Sequence, residues 1–362
     1  MKKQLPTAAT DEAAPAFLEE LVRRAERARA SDIHLQMIGK AANASLRLDG
    51  MMSPPIDVPE SVAERLFGRI KFLSRLKTYQ DSLPQDGRID RAEVGAGNDI
   101  RVATYPTVTG EKIVLRFFTE TEQTKLDDLQ FPAEAMSELT RFLSGNAGLL
   151  LLTGPAGSGK TTTIYACLRR LSEMGGRHII TIEDPVEQTL RGIMQTEISE
   201  ARGLTFATAA RHLLRQDPQV LVVGEVRDEE TANVVVRAAM TGHLVITTLH
   251  AGSCTAVVER LQMMCADKYA AISSLELILN QRLLRRVCAD CHGARCDACL
   301  QTGYHGRVAV LEWLRLDAAQ REQVRTKGSG ALEVKHSIRD AARELVKAGV
   351  TNAEEFERVF SR

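Results

Sequence analysis

Apolar and polar positions divide this chain into two stretches with different periods. From Pro15 to Ala30 the apolar positions Phe17, Leu18, Leu21 and Val22 recur at helical spacing with charges between them, which predicts an amphipathic helix. The residues before it, 1–15, are rich in Ala, Thr and Pro without periodicity, and a mobile tail is expected there. Short alternating segments follow, ASLRLDG (Ala44 to Gly50) and NDIRVATYP (Asn98 to Pro106), separated by a helical stretch from Ser61 to Leu76. This pattern predicts a small α+β domain over residues 16–118. Thr119 to Asp128 is polar and charged, and 119–132 is the expected linker. Over 133–362 the pattern changes. GLLLLTG (Gly148 to Gly154), HIITIED (His178 to Asp184), QVLVVGE (Gln219 to Glu225) and LVITTLH (Leu244 to His250) are continuous apolar runs alternating with helical segments. Runs of this kind belong to a parallel sheet covered on both faces, hence an α/β fold. The end of the chain, SIRDAARELVKAGVTNAEEFERV, reads as a helix, a break at Gly349 and a second helix.

A chain of 362 residues, 44% hydrophobic and 26% charged, suits two globular domains. Lys plus Arg and Asp plus Glu number 47 each, so there is no net field to draw in DNA or an anionic membrane. No stretch reaches the roughly 20 apolar residues that span a bilayer, and a cytoplasmic protein is expected.

One motif carries specific chemistry. Gly154 to Thr162, GPAGSGKTT, fits G-x-x-x-x-G-K-[ST] and sits between an apolar strand and the helical segment TTIYACLRRL. Gly154, Gly157 and Gly159 let the backbone curl around Pro155, Ala156 and Ser158, so that its N–H groups face phosphate oxygens at the positive end of a helix. Lys160 would reach the β and γ phosphates, and Thr161, followed by Thr162, would offer its hydroxyl to Mg²⁺. Hydrolysis also needs carboxylates. QVLVVGE ends on Glu225, with Asp228 and Glu229 close behind, and TIEDPVE delivers Glu183, Asp184 and Glu187. Ligands of open α/β sheets bind at the carboxyl ends of strands, so both groups should converge on the γ phosphate. His243 and His250 flank the last apolar run, where a lone histidine is more often a satisfied structural group than a catalyst.

These residues resemble one family, the motor ATPases that drive type II secretion and type IV pilus assembly. The likeness is carried in order by ASDIHLQ (Ala30 to Gln36), LRLDG (Leu46 to Gly50), QDGRI (Gln85 to Ile89), RVATYPTVTGEKIVLR (Arg101 to Arg116), ITIEDPVE (Ile180 to Glu187), GLTFATAARHLLRQDPQVLVVGEVRDEETA (Gly203 to Ala232), TGHLVITTLHA (Thr241 to Ala251) and TGYHGRVAVLE (Thr302 to Glu312). The resemblance implies a RecA-like P-loop ATPase domain behind a smaller PAS-like domain. It implies Glu183 as general base and Glu225 as the acid that holds Mg²⁺. His243 and His250 would couple nucleotide state to subunit position, and Arg101 and Arg116 would be presented to the triphosphate. It further implies a homo-hexamer that hydrolyses ATP to displace an inner-membrane platform protein, associates with the membrane only through partners, and contacts no nucleic acid.

Cys288, Cys291, Cys296 and Cys299 form two CxxC pairs, a pattern that predicts a structural zinc site of four thiolates. The resemblance agrees for the secretion and assembly branch, although only four residues, His292 to Arg295, separate the pairs here where relatives carry a longer loop. The chain also resembles a short form without the extra amino-terminal docking domain of those relatives. Three other readings stand beside the assembly motor: a retraction motor, a RecA-like nucleic-acid motor, disfavoured by aromatics at only 4% of residues, and an ATP-binding scaffold.

Overall fold

The computed structural model describes residues 13–117, 124–334 and 336–361. Most of the expected tail, and residues 119–123 of the expected linker, lie outside them. Ala13 and Ala14, expected in the tail, already belong to the first helix and are buried. Pro15 is tolerated there because first-turn N–H groups have no helical partner.

The described chain packs as two compact units, residues 13–117 with 285–306, and 124–284 with 307–361. The cysteine-bearing segment therefore groups with the amino-terminal unit. That unit holds helices α1 (Ala13–Arg27) and α2 (Glu60–Leu73) and strands β1 (Asp32–Ile38), β2 (Ala41–Leu48), β3 (Met51–Met52), β4 (Ile56–Val58), β5 (Gln85–Ile89), β6 (Ile100–Thr107) and β7 (Gly110–Phe117). The strands form an antiparallel sheet in the order β3-β2-β1-β7-β6-β5, with β4 on β2. Its register separates two faces. Leu46, Ile33, Leu115 and Val102 lie side by side across four strands and are fully buried, in one core with Phe17, Leu18 and Leu21 of α1 and Leu66 and Ile70 of α2. One residue along, Arg47, Asp32, Arg116, Arg101 and Arg88 form a row on the opposite face. Period-two alternation in the sequence thus becomes one apolar and one charged face.

The second unit contains α3 (Ala133–Ser144), β8 (Gly148–Thr153), α4 (Lys160–Met174), β9 (Ile179–Glu183), β10 (Met194–Glu197), α5 (Phe206–Leu213), β11 (Val220–Val223), α6 (Glu229–Met240), β12 (Leu244–Thr248), α7 (Cys254–Met264) and α8 (Lys268–Ser274). Two long strands follow, β13 (Leu275–Val287) and β14 (Tyr304–Arg315), and then α9 (Ala318–Lys327), α10 (Ile338–Lys347) and α11 (Ala353–Phe360). The sheet runs β10-β9-β11-β12-β8-β13-β14 and is parallel from β10 through β13. Both faces are covered. On β8, Leu149 and Leu151 enter one core while Leu150 and Leu152 enter another, and β11 splits Leu221 and Val223 from Val220 and Val222 in the same way. Among the described residues no helix is long and apolar enough to cross a membrane.

Candidate active site

Strand β8 delivers the glycine loop to the N-terminus of α4. At Gly154 (φ +142°) a Cβ would lie 2.3 Å from the carbonyl oxygen of Gln281 on β13, and at Gly159 (φ +91°) it would lie 2.6 Å from the Gln281 amide nitrogen, so only glycine fits either position. Thr163 Oγ1 donates to Gln281 Oε1 at 2.9 Å, which fixes the start of α4 against β13. Pro155, Ala156, Gly157 and Thr161 are exposed, Thr162 is half-buried, and Ser158 is buried beneath the loop. Lys160 Nζ donates to the carbonyls of Gly154 at 2.9 Å and Pro155 at 3.0 Å. Burial, together with the charge of Arg282, holds its pKa below the ordinary lysine value.

Beside this loop, at the carboxyl ends of β9, β11 and β12, lies a cavity of about 210 Å³ lined by Lys160, Thr161, Tyr165, Glu183, Glu187, Glu225 and His250. Glu183 is buried, and its carboxylate accepts from Thr181 Oγ1 at 2.5 Å, from Gln195 Nε2 at 3.1 Å and from the Tyr165 hydroxyl. Glu187 carries a different load: burial and the neighbouring Glu183 charge push its pKa above the ordinary carboxyl value. Glu225 accepts from Arg227 and lies 3.3 Å from His250 Nε2. Burial and the Lys160 charge lower the His250 pKa, which favours its neutral form, against an opposing influence of the nearby Gly154 backbone. Asp228 does not face this cavity: its side chain caps α6 through the Thr231 N–H at 2.7 Å. A wider cavity, about 890 Å³, opens on the amino-terminal unit beside Lys71 and Glu111. It offers no comparable chemistry, because the buried Lys71 ammonium is already engaged by Glu111 at 3.1 Å and the Gln80 carbonyl at 2.8 Å.

Residues 7–358 match the family model described as "Type II/IV secretion system protein". The chain is 37% identical to type II secretion system protein E of Pseudomonas aeruginosa, over 95% of this chain and 74% of that protein. It is 36% identical to the type IV pilus assembly ATPase PilB of Thermus thermophilus, over 92% of this chain and 40% of that one. Among solved structures it resembles the pilus retraction motor PilT with bound ADP (TM-score 0.65, 26% identity, 95% and 97% of the two chains). The Legionella pneumophila ATPase DotB shares the fold, with a TM-score of 0.72, 21% identity and 96% of each chain covered. The chain belongs to the type II/IV secretion system protein family.

Other residues weighed from the sequence of this family member lie elsewhere. His250 lines the cavity, but His243 sits at the opposite end of β12, roughly 20 Å away at the rise of a strand. There its Nδ1 lies 2.9 Å from the Ala238 carbonyl and 3.2 Å from Thr241 Oγ1, at the C-terminus of α6. Arg101 and Arg116 are direct cross-strand neighbours on β6 and β7. Arg116 Nε donates to the buried Asp32 at 2.7 Å. In the hairpin tip the four cysteine sulfurs all lie within 4.8 Å of one another, with separations of 4.0 Å for Cys288–Cys296, 3.8 Å for Cys291–Cys299 and 3.7 Å for Cys296–Cys299. Four sulfurs about 2.3 Å from one tetrahedral centre would be about 3.8 Å apart, so the donor set and its spacing fit zinc. Burial pushes the Cys299 thiol up, but the N–H groups of Cys296 and Gly303, at 3.3 and 3.2 Å, outweigh it and bring its pKa down to about 6. The short His292–Arg295 link closes because His292 and Arg295 adopt positive φ beside Gly293.

Sequence reasoning missed Tyr165, Gln195 and Gln281. Tyr165 stands in an apolar helix and reads as core, and Gln195 lies on the short, largely exposed strand β10. For Gln281, polarity inside the apolar run LELILNQRLL was the available signal.

Proposed function

We propose that this chain is an ATP-hydrolysing motor subunit of the secretion and pilus-assembly branch, working as a homo-hexamer against an inner-membrane platform protein. The observation that carries the reading is the single cavity that gathers Lys160, Thr161, Glu183, Glu187, Glu225 and His250 at the carboxyl end of a parallel sheet. The backbone from Gly154 to Gly159 and the Lys160 ammonium receive the phosphates, Lys160 exchanging its two carbonyl partners for phosphate oxygens. The Thr161 hydroxyl and Glu225 carboxylate are oxygen donors of the kind that Mg²⁺ prefers, and Mg²⁺ would neutralise charge on the triphosphate. The branch is supported by the tetracysteine tip, where Cys288, Cys291, Cys296 and Cys299 would hold a structural zinc, and by likeness to protein E and PilB.

Of the three acids in TIEDPVE, we assign the proton-accepting role to Glu183, as the resemblance implies. Glu183 is buried at the end of β9, where Thr181, Gln195 and Tyr165 fix its carboxylate within the cavity. Glu187 borders the same cavity, its pKa raised by burial and the Glu183 charge, and Asp184 pairs with Arg227 at 3.4 Å. In this reading Glu183 takes the proton of the water that attacks the γ phosphorus as the bond from that phosphorus to the bridging oxygen breaks, and ADP leaves with that oxygen. His250, 3.3 Å from Glu225, would help couple nucleotide state to subunit position, as the resemblance implies. Arg101 and Arg116 would stabilise the spread charge of the triphosphate, a role that the resemblance alone implies. His243 braces α6 against β12 and keeps His250 in register.

ATP turnover per subunit should climb steeply as concentration is raised through assembly, and a constant value would remove the hexamer. Lys160→Ala should lower turnover by about 10²- to 10³-fold. Glu183→Gln should lower it by at least about 10²-fold with nucleotide binding retained, and Glu187→Gln by less. The reverse order would move the base to Glu187.

A further inference from the structure

The segment that leaves β12 carries His250 and is fastened to three neighbouring strands, β8, β13 and β14. Thr153, the last residue of β8 and the one before Gly154, is fully buried. Its hydroxyl accepts the Ala251 N–H at 2.9 Å and donates to the Ala251 carbonyl at 2.8 Å, so both backbone groups of the residue after His250 end on one oxygen. Asn280, the direct partner of Thr153 on β13 and equally buried, donates from Nδ2 to the Gly252 carbonyl at 3.1 Å. Arg282, whose charge also bears on Lys160, donates to the Asn280 side-chain oxygen at 3.0 Å. On β14 the buried Glu312 carboxylate accepts the Cys254 N–H at 2.6 Å, where α7 begins. Packing alone asks for apolar side chains inside these strands, and valine would fill the space of Thr153. What the hydroxyl and the amide add is a set of partners for the backbone of the turn that follows His250.

We infer that Thr153 and Asn280 are positioning residues for the ATPase cycle, holding the turn that starts at His250 in one place relative to the glycine loop. The inference rests on the proposed role of His250, which couples nucleotide state to subunit position from a site 3.3 Å from Glu225. Thr153 and Gly154 share a peptide bond. A displacement of the loop by bound phosphates therefore reaches Ala251 through two short hydrogen bonds, and His250 through one further peptide bond. On the other side of His250 the Leu249 N–H donates to the Leu152 carbonyl at 3.0 Å, which ties that residue to the same strand. Such placement matters because a 1 Å error in a site can cost about 10²-fold in rate.

The test is Thr153→Val in the full-length assembled protein, with Thr153→Ser as the variant that keeps the hydroxyl. We expect the valine to lower kcat by about tenfold or more, with KM and the affinity for a fluorescent ADP analogue unchanged within about twofold. The serine should recover kcat to within about twofold of the parent. On a His250→Ala background the valine should add no further loss, because a histidine that is absent cannot be misplaced. Asn280→Leu cuts the neighbouring tie from a different strand and should give the same non-additive loss, so it serves where Thr153→Val fails to assemble. Unchanged kcat, a serine as impaired as the valine, a loss that multiplies with that of His250→Ala, or a change mainly in KM would overturn the inference. A fully active His250→Ala would strike the role of the histidine itself, whereas an impaired His250→Ala beside a fully active Thr153→Val would strike only the ties that hold the turn.

Discussion

Among the described residues two sheets, seven strands each, bury themselves in opposite ways. In the antiparallel sheet burial alternates along β2, where Ala42, Ala44, Leu46 and Leu48 are buried and their neighbours are half-exposed. In the parallel sheet every residue of β8 is buried, and successive leucines enter different cores. A sheet with one free face can carry charges in rows at every second position, as Arg47, Asp32, Arg116, Arg101 and Arg88 do. A sheet covered on both faces has no such room, so its chemistry moves to the strand ends, where Glu183, Glu225 and His250 stand.

The sharpest way to break this contrast is to truncate consecutive residues. Leu150→Ala and Leu151→Ala should each cost about 2–5 kcal/mol, because each removes a fully buried side chain from a separate core. On β2, Leu46→Ala should cost a similar amount while adjacent Ser45→Ala stays within about 0.5 kcal/mol. Urea midpoints for the four variants measure this. A tolerated Leu150→Ala or Leu151→Ala would mean that one face of the parallel sheet is not a packed core.

The same contrast explains what the sequence could disclose. Strands β8, β9, β11 and β12 were legible because double burial demands continuous apolar runs, and α1 because it shows one face to a core. The terminal helix pair was legible too, with Gly349 between its members at φ +70°. Strand β13 was not. Its register shifts between Leu275 and Leu277, and Asn280 and Gln281 are polar yet buried because they serve Gly252 and the glycine loop. The cavity was legible as far as motifs mark it, from Gly154 to Thr162 and at Glu183, Glu187, Glu225 and His250. Proximity in sequence could not separate the three acids of TIEDPVE, which differ because Tyr165, Thr181 and Gln195 gather on Glu183 while Asp184 pairs with Arg227. Nor could it separate the two histidines, which one strand holds at opposite ends.

The hairpin tip tests the contrast at a place with little apolar burial of its own. We expect one zinc per chain by atomic spectroscopy, and loss of that zinc with Cys288→Ser. Stripping the metal with a chelator should lower the unfolding temperature by a few degrees, at about 2–4 °C for each kcal/mol lost. Metal-free protein with four readily titrated thiols and an unchanged unfolding temperature would show that the tip is held by Leu300, packed on the amino-terminal core, and by the Asp49–Gly306 hydrogen bond of 2.8 Å.

The smallest expected effect concerns the charged row itself. Arg116 and Arg101 face each other directly across two strands, an arrangement of like charges that costs stability unless something offsets it. Asp32, on the other side of Arg116, supplies the offset. Burial pushes its pKa up, but the bonds from Arg116 Nε at 2.7 Å and Ser31 Oγ at 2.8 Å outweigh burial and hold it below the ordinary aspartate value. A carboxylate with a depressed folded pKa contributes stability that is present above its unfolded value, near 3.8, and is lost as pH falls through the folded one. Asp32→Asn should therefore cost on the order of 1 kcal/mol at pH 7, a modest figure because the arginine is largely solvated. Urea midpoints of the two proteins should differ by a constant amount down to about pH 4 and converge below it. A gap that persisted into acid would mean that Asp32 acts by shape and neutral hydrogen bonding, and that the row of arginines tolerates its own repulsion.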